Sequence, residues 1–549
     1  MKRNIFLPIL IALSVVCGVY LGNRLARQNA VVTLPLWAAS EIDGLKMQSA
    51  DKLSTIVNLI ESVYVDTVSK QNLVETAIAG LLQSLDPHSA YIPASDMQEV
   101  NEEMHGSFGG IGIQFSIVDD TVRVVDVISE GPSYKLGIMP GDRIVEINDS
   151  IIAGTNTKND DITKLLKGTK GTKVKVGIKR AGVSEIIPYN ITRGEIPLFS
   201  VDVNYMVNDS LGYIKVSRFA ETTYDEFMKA MEQLDSLNAS KVIIDLRSNL
   251  GGSLMTVLRM VGEFLEKGEE ILYTEGKARP RETYKAPNKG KWIDKEVFVL
   301  IDEYSASASE IFAGAMQDND RGVIIGRRSF GKGLVQEQIL FKDGSALRLT
   351  VSRYYTPSGR SIQKPYNEGR YKYYRNIIER RIELVVPDSI HFADSLRFET
   401  KAGRDVYGEG GIMPDFFVPI DTTGYSEYFS KIYSKVLIYS FALEYSDKYR
   451  TVLNRFKKAG EIASYLEKQN IDQQFYDYAA GKGIPRDPVG IRISGEIIKT
   501  QVMAYIARNI ISDAGFYPII HRIDNTMIKA VDLASSQNLL KQLLVKAQN

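Results

Sequence analysis

Between residues 186 and 420, short apolar runs rich in β-branched residues alternate with longer stretches of helical period. The apolar runs are Leu211–Val216, Lys241–Leu246, Val297–Ile301, Val323–Gly326, Leu334–Phe341 and Ala346–Tyr355. The helical stretches are Tyr224–Leu237, Leu254–Glu266 and Ser309–Gln317. Alternation of this kind lays helices against a sheet, so the centre of the chain is expected to be an α/β domain. A chain of 549 residues leaves room for three or four domains, and the flanking segments have different periods. Leu53–Val65 and Leu73–Leu85 place apolar residues at helical spacing, and Asp86-Pro87 stops the second helix. Residues 96–185 turn glycine-rich, with strand-like runs at Ile111–Phe115, Val122–Val127, Arg143–Ile147 and Lys173–Lys179 and a helix at Asp160–Leu166. That mix suggests a small α+β module with a barrel-like core. From 421 onward the pattern is mostly helical, and Leu533, Leu540, Leu543 and Leu544 share one helical face. The charged, tyrosine-rich segment 364–405 carries no readable period. The expected division is 1–27, 40–95, 96–185, 186–420 and 421–549.

Lys+Arg and Asp+Glu each count 67, so the formal net charge is zero. With no basic excess to neutralise phosphates, nucleic acid is not expected as a general partner. The single cysteine, Cys17, sits in an N-terminal apolar run, so the rest of the chain has no disulfide, thiolate nucleophile or cysteine-built metal site. That run, Ile5 to Leu21, follows Lys2 and Arg3 and precedes Arg24 and Arg27. A basic start before such a run marks an export signal, at the short limit for a spanning helix. No small-x-small cleavage pattern follows, and Val16 stands where a lipoprotein site needs a small residue before Cys17. The expectation is an uncleaved signal anchor at 1–27, with a cleaved signal peptide as the alternative. In both cases the bulk of the chain lies outside the cytoplasm.

Three serines separated by alanines, Ser305, Ser307 and Ser309, stand where an apolar strand passes into a helix. The N–H groups at a helix start are free and can stabilise an oxyanion. The same segment satisfies a structural pattern, because Ser307-x-x-Glu310 is a capping box. A nucleophilic serine needs a base. The four histidines, His88, His105, His391 and His521, are all remote in sequence or in unsuitable contexts. A lysine serves if burial lowers its pKa. Lys332, between Gly331 and Gly333, is the candidate, although an exposed lysine in a tight turn has the same sequence. Gly326-x-x-x-x-Gly331-Lys332 also has phosphate-loop spacing. Gly333 stands where a metal-binding hydroxyl belongs, however, and a strand-like run follows where that loop needs a helix. Asp245-Leu246-Arg247-Ser248-Asn249-Leu250-Gly251-Gly252 follows another apolar strand. Its paired glycines suit an oxyanion loop or a plain turn.

In this order the segments resemble the C-terminal processing peptidases, or tail-specific proteases, over roughly residues 50–420. Tyr64-Val65-Asp66 and Ser84–Ser89 resemble the family's N-terminal helical signature. Gly110-Ile111-Gly112-Ile113, Gly131-Pro132-Ser133 and Gly137–Asp142 resemble a PDZ domain, and Gly411–Asp415 resembles the end of the core. The resemblance implies a multidomain α/β + α+β fold: a crotonase/Clp-protease-like α/β core, an inserted PDZ domain and an N-terminal helical segment, to which the periodicity adds a helical C-terminal region. It implies a serine endopeptidase with Ser307 as nucleophile, Lys332 as general base and Gln336 orienting that lysine. The N–H of Gly251 or Gly252, with that of Ala308, would form the oxyanion hole. No metal or cofactor is implied. Leu250 stands where the family commonly has proline, which changes loop stiffness and leaves the donors. In the PDZ module, the loop from Gly110 would present the N–H groups of Ile111, Gly112 and Ile113 to a terminal carboxylate. Ile162, Leu165 and Leu166 would line a pocket for an apolar last residue. The implied partners are unstructured or C-terminally exposed protein substrates; beside them, the N-terminal run gives the membrane as a partner through the anchor, and the helical pattern of 421–549 offers a surface for a second copy or an adaptor. The implied place is the cell envelope, anchored in the inner membrane with the catalytic part in the periplasm. Asp318 matches a core-helix aspartate of the family. Eleven residues past Ser307, it lies about 16 Å along a helix and reads as structural. The competing classes are a catalytically silent PDZ-bearing scaffold and a Ser–His hydrolase.

Overall fold

Six strands form the central sheet, in the order Val201–Met206, Leu211–Val216, Lys241–Asp245, Glu296–Ile301, Gly322–Gly326 and Phe416–Phe417. The first pair is antiparallel and every later pair is parallel. A parallel sheet must be covered on both faces. On one face Ile214, Val216, Ile244, Val299 and Ile324 cluster with residues of three helices, Thr223–Ser236, Leu254–Gly262 and Ala308–Asp318. On the other, Tyr213, Ile243, Phe298, Leu300 and Ile325 cluster with Met527, Ala530 and Leu533 of the helix Asn525–Ser535. The apolar stretch near the C-terminus is therefore used inside the chain. Leu533 is buried there, and Leu540 and Leu543, partly buried, pack on the same cluster. The helix also ends at Ser535 instead of running on through Leu543.

These coordinates are a computed structural model describing residues 49–543, other than 129, 181, 381–383, 386–392, 537–538 and 541. The N-terminal apolar run with Cys17, His391 and Leu544 lie outside the described residues. Among the described residues, no helix is long and apolar enough to cross a membrane. The chain divides into two units, Met1–Ile78 and Ala79–Asn549. The first holds the helix Ser49–Val63 and the start of Lys70–Gln83, tied by Lys70 Nζ to Asn58 Oδ1 at 2.6 Å.

In the second unit, Ala346–Tyr355 pairs with Leu334–Leu340, Glu270–Gly276 and Ala90–Ile92. Residues 40–95 are thus not helical throughout. Asp86-Pro87 ends the helix, and Ala90–Ile92 is an edge strand of this second sheet. Glu270–Gly276 and Arg279–Lys285 form a hairpin that the periodicity did not suggest, because Arg279–Lys285 is almost wholly exposed and polar. The small module has the sheet order Ile113–Val118, Thr121–Val127, Arg143–Ile147, Lys173–Lys179, Ile187–Thr192, with Ile113–Val118 at the edge. Its own core gathers Val124, Ile144, Ile162 and Val176. The last strand pairs with Lys173–Lys179, and Gly194–Pro197 pairs with Ser107–Gly110, so this sheet structure continues beyond residue 185. Helices between Glu427 and Ile520 enclose a further core that includes Phe441, Leu466, Phe475 and Ile506.

Segment 364–405 contains the helix Arg370–Glu379 and the strand Arg397–Glu399, paired with Asp405–Tyr407. Its attachment runs through the far end of the helix Ala308–Asp318. Arg360 and Asp318, both fully buried, pair at 2.7 Å, and Asp318 also accepts from Ser358 Oγ at 2.6 Å. Arg404 joins Asp320 and Asp415, each at 2.7 Å. Cations there also suit the negative end of the helix dipole. Asp318 is thus a structural carboxylate. Arg360→Met leaves it buried and uncompensated and is expected to destabilise the fold by about 3–5 kcal/mol, measured as a lower denaturant midpoint.

Candidate active site

The strand Glu296–Ile301 ends at Asp302, and the chain turns through Ser307 into the helix Ala308–Asp318. Ser307 has φ 56° and ψ −114°, a conformation that a non-glycine residue adopts only when its surroundings impose it. A strained strand-to-helix turn thrusts one side chain outward, as at hydrolase nucleophile elbows. The neighbouring hydroxyls are occupied. Buried Ser305 Oγ donates to Leu246 O at 2.8 Å, and buried Ser309 Oγ donates to Asn249 O at 2.9 Å. Ser307 alone of the three borders an open cleft of about 340 Å³, together with Leu250, Met255, Ile311, Lys332, Gln336 and Arg348.

The glycine loop is pinned beside this turn. Asp302 accepts from Ser248 N at 2.9 Å and from Tyr304 N at 3.1 Å. Asn249 Oδ1 accepts the Gly251 N–H at 2.9 Å, and Asn249 O accepts from Ala306 N at 3.0 Å. The Gly251 donor is therefore committed, which leaves Gly252 of the two glycines expected to serve the oxyanion hole. What Gly251 supplies is room: at φ 101°, an added Cβ would lie 2.7 Å from Ala306 O and 2.8 Å from Ser307 Cβ. The N–H groups of Gly252 and Ala308 border the cleft with no acceptor among the described residues. Below the loop, Arg247 joins Asp245 at 2.7 Å and Asp524 at 2.8 Å, and Asp524 caps the helix Asn525–Ser535. Burial alone would raise the Asp245 carboxyl, but Arg247 and Lys215 overcome it and hold the group well below the usual carboxylate range.

Lys332 occupies the loop before the strand Leu334–Leu340. Its Nζ donates to Gln336 Oε1 at 3.2 Å, and Gln336 Nε2 donates to His88 O at 2.7 Å. Burial pushes the Lys332 ammonium below its ordinary pKa, and the Arg348 guanidinium pushes it the same way. Among the described residues no hydrogen bond joins Lys332 to the Ser307 hydroxyl, although both face one cleft. Such contacts commonly tighten only when substrate is bound.

Glu310 connects the two loops. Its fully buried carboxylate accepts from Ser307 N (2.9 Å) and Lys332 N (2.8 Å) on Oε2, and from Gly331 N (2.7 Å) and Ser329 Oγ (2.6 Å) on Oε1. Burial raises its pKa, and these bonds offset that only in part. The anion held by the Gly-Lys-Gly loop is therefore a side chain of the protein itself, which removes the phosphate-loop reading.

His88 contributes through its backbone carbonyl, a role that its residue type does not signal. Asp86 shapes its turn by accepting from His88 N and Ser89 N, each at 2.8 Å. Burial and then the Lys332 charge push its imidazole down to about 3, and Nε2 pairs with Tyr373 OH at 2.8 Å. His105 meets Glu221 and His521 meets Tyr205, so no described histidine borders the cleft. Described residues of the segment 364–405 pack behind the lysine loop. Lys364 Nζ lies 3.9 Å from the Phe330 ring centre and 4.1 Å from that of Tyr373, and Arg380 donates to Ser329 O at 3.2 Å.

In the small module, Gly110, Ile111 and Gly112 lead into the edge strand at Ile113. Ile162 and Leu166 are buried in the module's own core, so they do not line an open pocket as expected, whereas Leu165 is exposed.

A strained serine at a strand–helix junction, the N–H groups beside it and a desolvated lysine thus border one cleft. The model of peptidase family S41 matches residues 210–368, and that of the PDZ domain matches residues 109–187. The N-terminal domain model of the activating protease CtpB matches 12–95, and a family of unknown function matches 428–512. The carboxy-terminal processing protease CtpA of Bacillus subtilis is 35% identical over 341 residues, 61% of this chain and 72% of that protein. The carboxy-terminal-processing protease of Bartonella bacilliformis is 37% identical over 317 residues, 57% and 72% of the two chains. Among solved structures, the photosystem II D1 C-terminal processing protease is similar over 58% of this chain and 91% of its own, with 25% identity and a TM-score of 0.34. The chain belongs to the C-terminal processing peptidase family, with an S41 core, a PDZ domain and a helical C-terminal region.

Glu310→Gln replaces one acceptor oxygen with a donor facing N–H groups. The two loops should lose register, and kcat/KM should fall on the order of 10²-fold. Steady-state kinetics alongside circular dichroism will separate this from unfolding.

Proposed function

We propose that the protein is an endopeptidase that cuts exported proteins with a Ser307–Lys332 dyad and takes them by their C-terminal tails. The observation that carries this is the Glu310 carboxylate, which ties the loops of both residues to one another at the same cleft. Neutral Lys332 accepts the Ser307 proton as Oγ attacks the scissile carbonyl. The N–H groups of Gly252 and Ala308 receive the oxyanion. The lysine returns the proton to the leaving amine, and water then hydrolyses the acyl-enzyme. Gln336, held by His88 O, fixes the position of Nζ. No step calls for a metal or cofactor.

For tail capture, a substrate strand would add to the free edge of Ile113–Val118, with its carboxylate at the N–H groups that follow Gly110. The core is read as crotonase/Clp-protease-like on the strength of its parallel sheet with a second sheet beside the cleft. The signal anchor at 1–27 and a place in the cell envelope belong to the same reading. The small module is drawn as about 96–197, and 421–549 as a helical region, of which 525–535 serves the core.

Lys332→Ala should lower kcat/KM by about 10²- to 10⁴-fold with secondary structure intact. Because the base acts when neutral, wild-type kcat/KM should climb with pH through an apparent pKa below lysine's ordinary 10.5. Full activity in Lys332→Ala would end the dyad mechanism. Amidating the C-terminus of an unstructured reporter should raise KM while sparing kcat, and unchanged kinetics would refute tail capture.

A further inference from the structure

The described lining of the Ser307 cleft contains no carboxylate and one cation besides Lys332, which is Arg348. Across the hairpin, Gln338 stands opposite Arg348, and Gln336 stands opposite Thr350. Side chains two apart on a strand share a face, so Gln338 and Arg348 lie on the face that presents Gln336, about 7 Å further along. The guanidinium donates to Gln338 Oε1 at 3.1 Å and has no carboxylate partner among the described residues. It is partly buried. A partly desolvated guanidinium offers a planar fork of donors suited to a carboxylate, and here the protein fills it only with a neutral amide. It lines the same cleft as Lys332 and Ser307.

We propose that Arg348, with Gln338, forms a substrate subsite for a carboxylate within two or three residues of the scissile bond, because both side chains line the cleft that holds Ser307 and Lys332. This rests on the Ser307–Lys332 reading of the cleft. The carboxylate is supplied by an aspartate or glutamate side chain, or by the substrate's own C-terminus when the cut falls near the end. The subsite gives the enzyme a preference at the cut that is separate from tail capture on the PDZ module.

The test is kcat/KM on paired peptides that differ only in Glu or Gln at the second and third positions on either side of the cut. A further pair has Gln at those positions and a free or amidated C-terminus two residues past the cut. Wild type should favour the carboxylate-bearing member of at least one pair by on the order of 10-fold. A preference confined to the last pair assigns the subsite to the tail carboxylate. Arg348→Gln should bring that ratio to about one, and Arg348→Glu should favour a Lys-bearing peptide instead. Ratios taken on one preparation are independent of the fraction folded. Equal kcat/KM across every wild-type pair, or a preference that survives in Arg348→Gln, overturns the proposal. Ser307→Ala is assayed in parallel: cleavage that persists there refutes the dyad, whereas its loss without any carboxylate preference refutes only the subsite.

Discussion

One buried carboxylate sets the spacing between the serine turn and the lysine loop. Glu310 receives four hydrogen bonds, three from backbone N–H groups and one from a hydroxyl, and these come from both the serine turn and the lysine loop. A charge at such depth is tolerated only when fully paired by donors. Its place in the first turn of a helix adds the favourable end of the dipole. The capping box and the active site are thus one device. The glutamate that caps the helix also reaches forward and fixes where Lys332 stands.

Other polar ties extend that frame outward. Asn249 and Asp302 set the glycine loop against the serine turn, while Arg247 links the same loop to Asp524 at the start of the helix Asn525–Ser535. That helix covers Phe298 and Leu300, whose strand delivers the chain to Ser307. The C-terminal region therefore contributes to the core as well as forming helices of its own. At the other end of the serine helix, Asp318–Arg360 and Arg404 secure the segment that backs the lysine loop. Removing one member of these pairs strands a charge, which is why they act as fasteners more than as sources of net stability.

Legibility in the sequence followed exposure. Strands of the buried parallel sheet are readable because both faces are apolar, and Leu211–Val216 carries the bounds its composition suggests; Ala346–Tyr355 of the second sheet does so too, on its β-rich composition. The hairpin strand Arg279–Lys285 was invisible because its side chains face solvent. Segment 364–405 had no period because its helix is short and its attachments are polar contacts to distant loops. Ile162 and Leu166 fit a helix pattern, but a pattern cannot tell a core face from a pocket face.

The sequence by itself determined the class of fold, the order of the motifs and the shortage of histidine as a base. These depend on local period, residue type and spacing. Only the tertiary structure decided which of three serines borders the cleft, that the Gly251 donor is already taken, that His88 serves through its carbonyl, and that Arg348 shares the cleft with Lys332. Each of those is a contact between segments tens to hundreds of residues apart, and local sequence carries no record of which distant group satisfies a given donor, acceptor or charge.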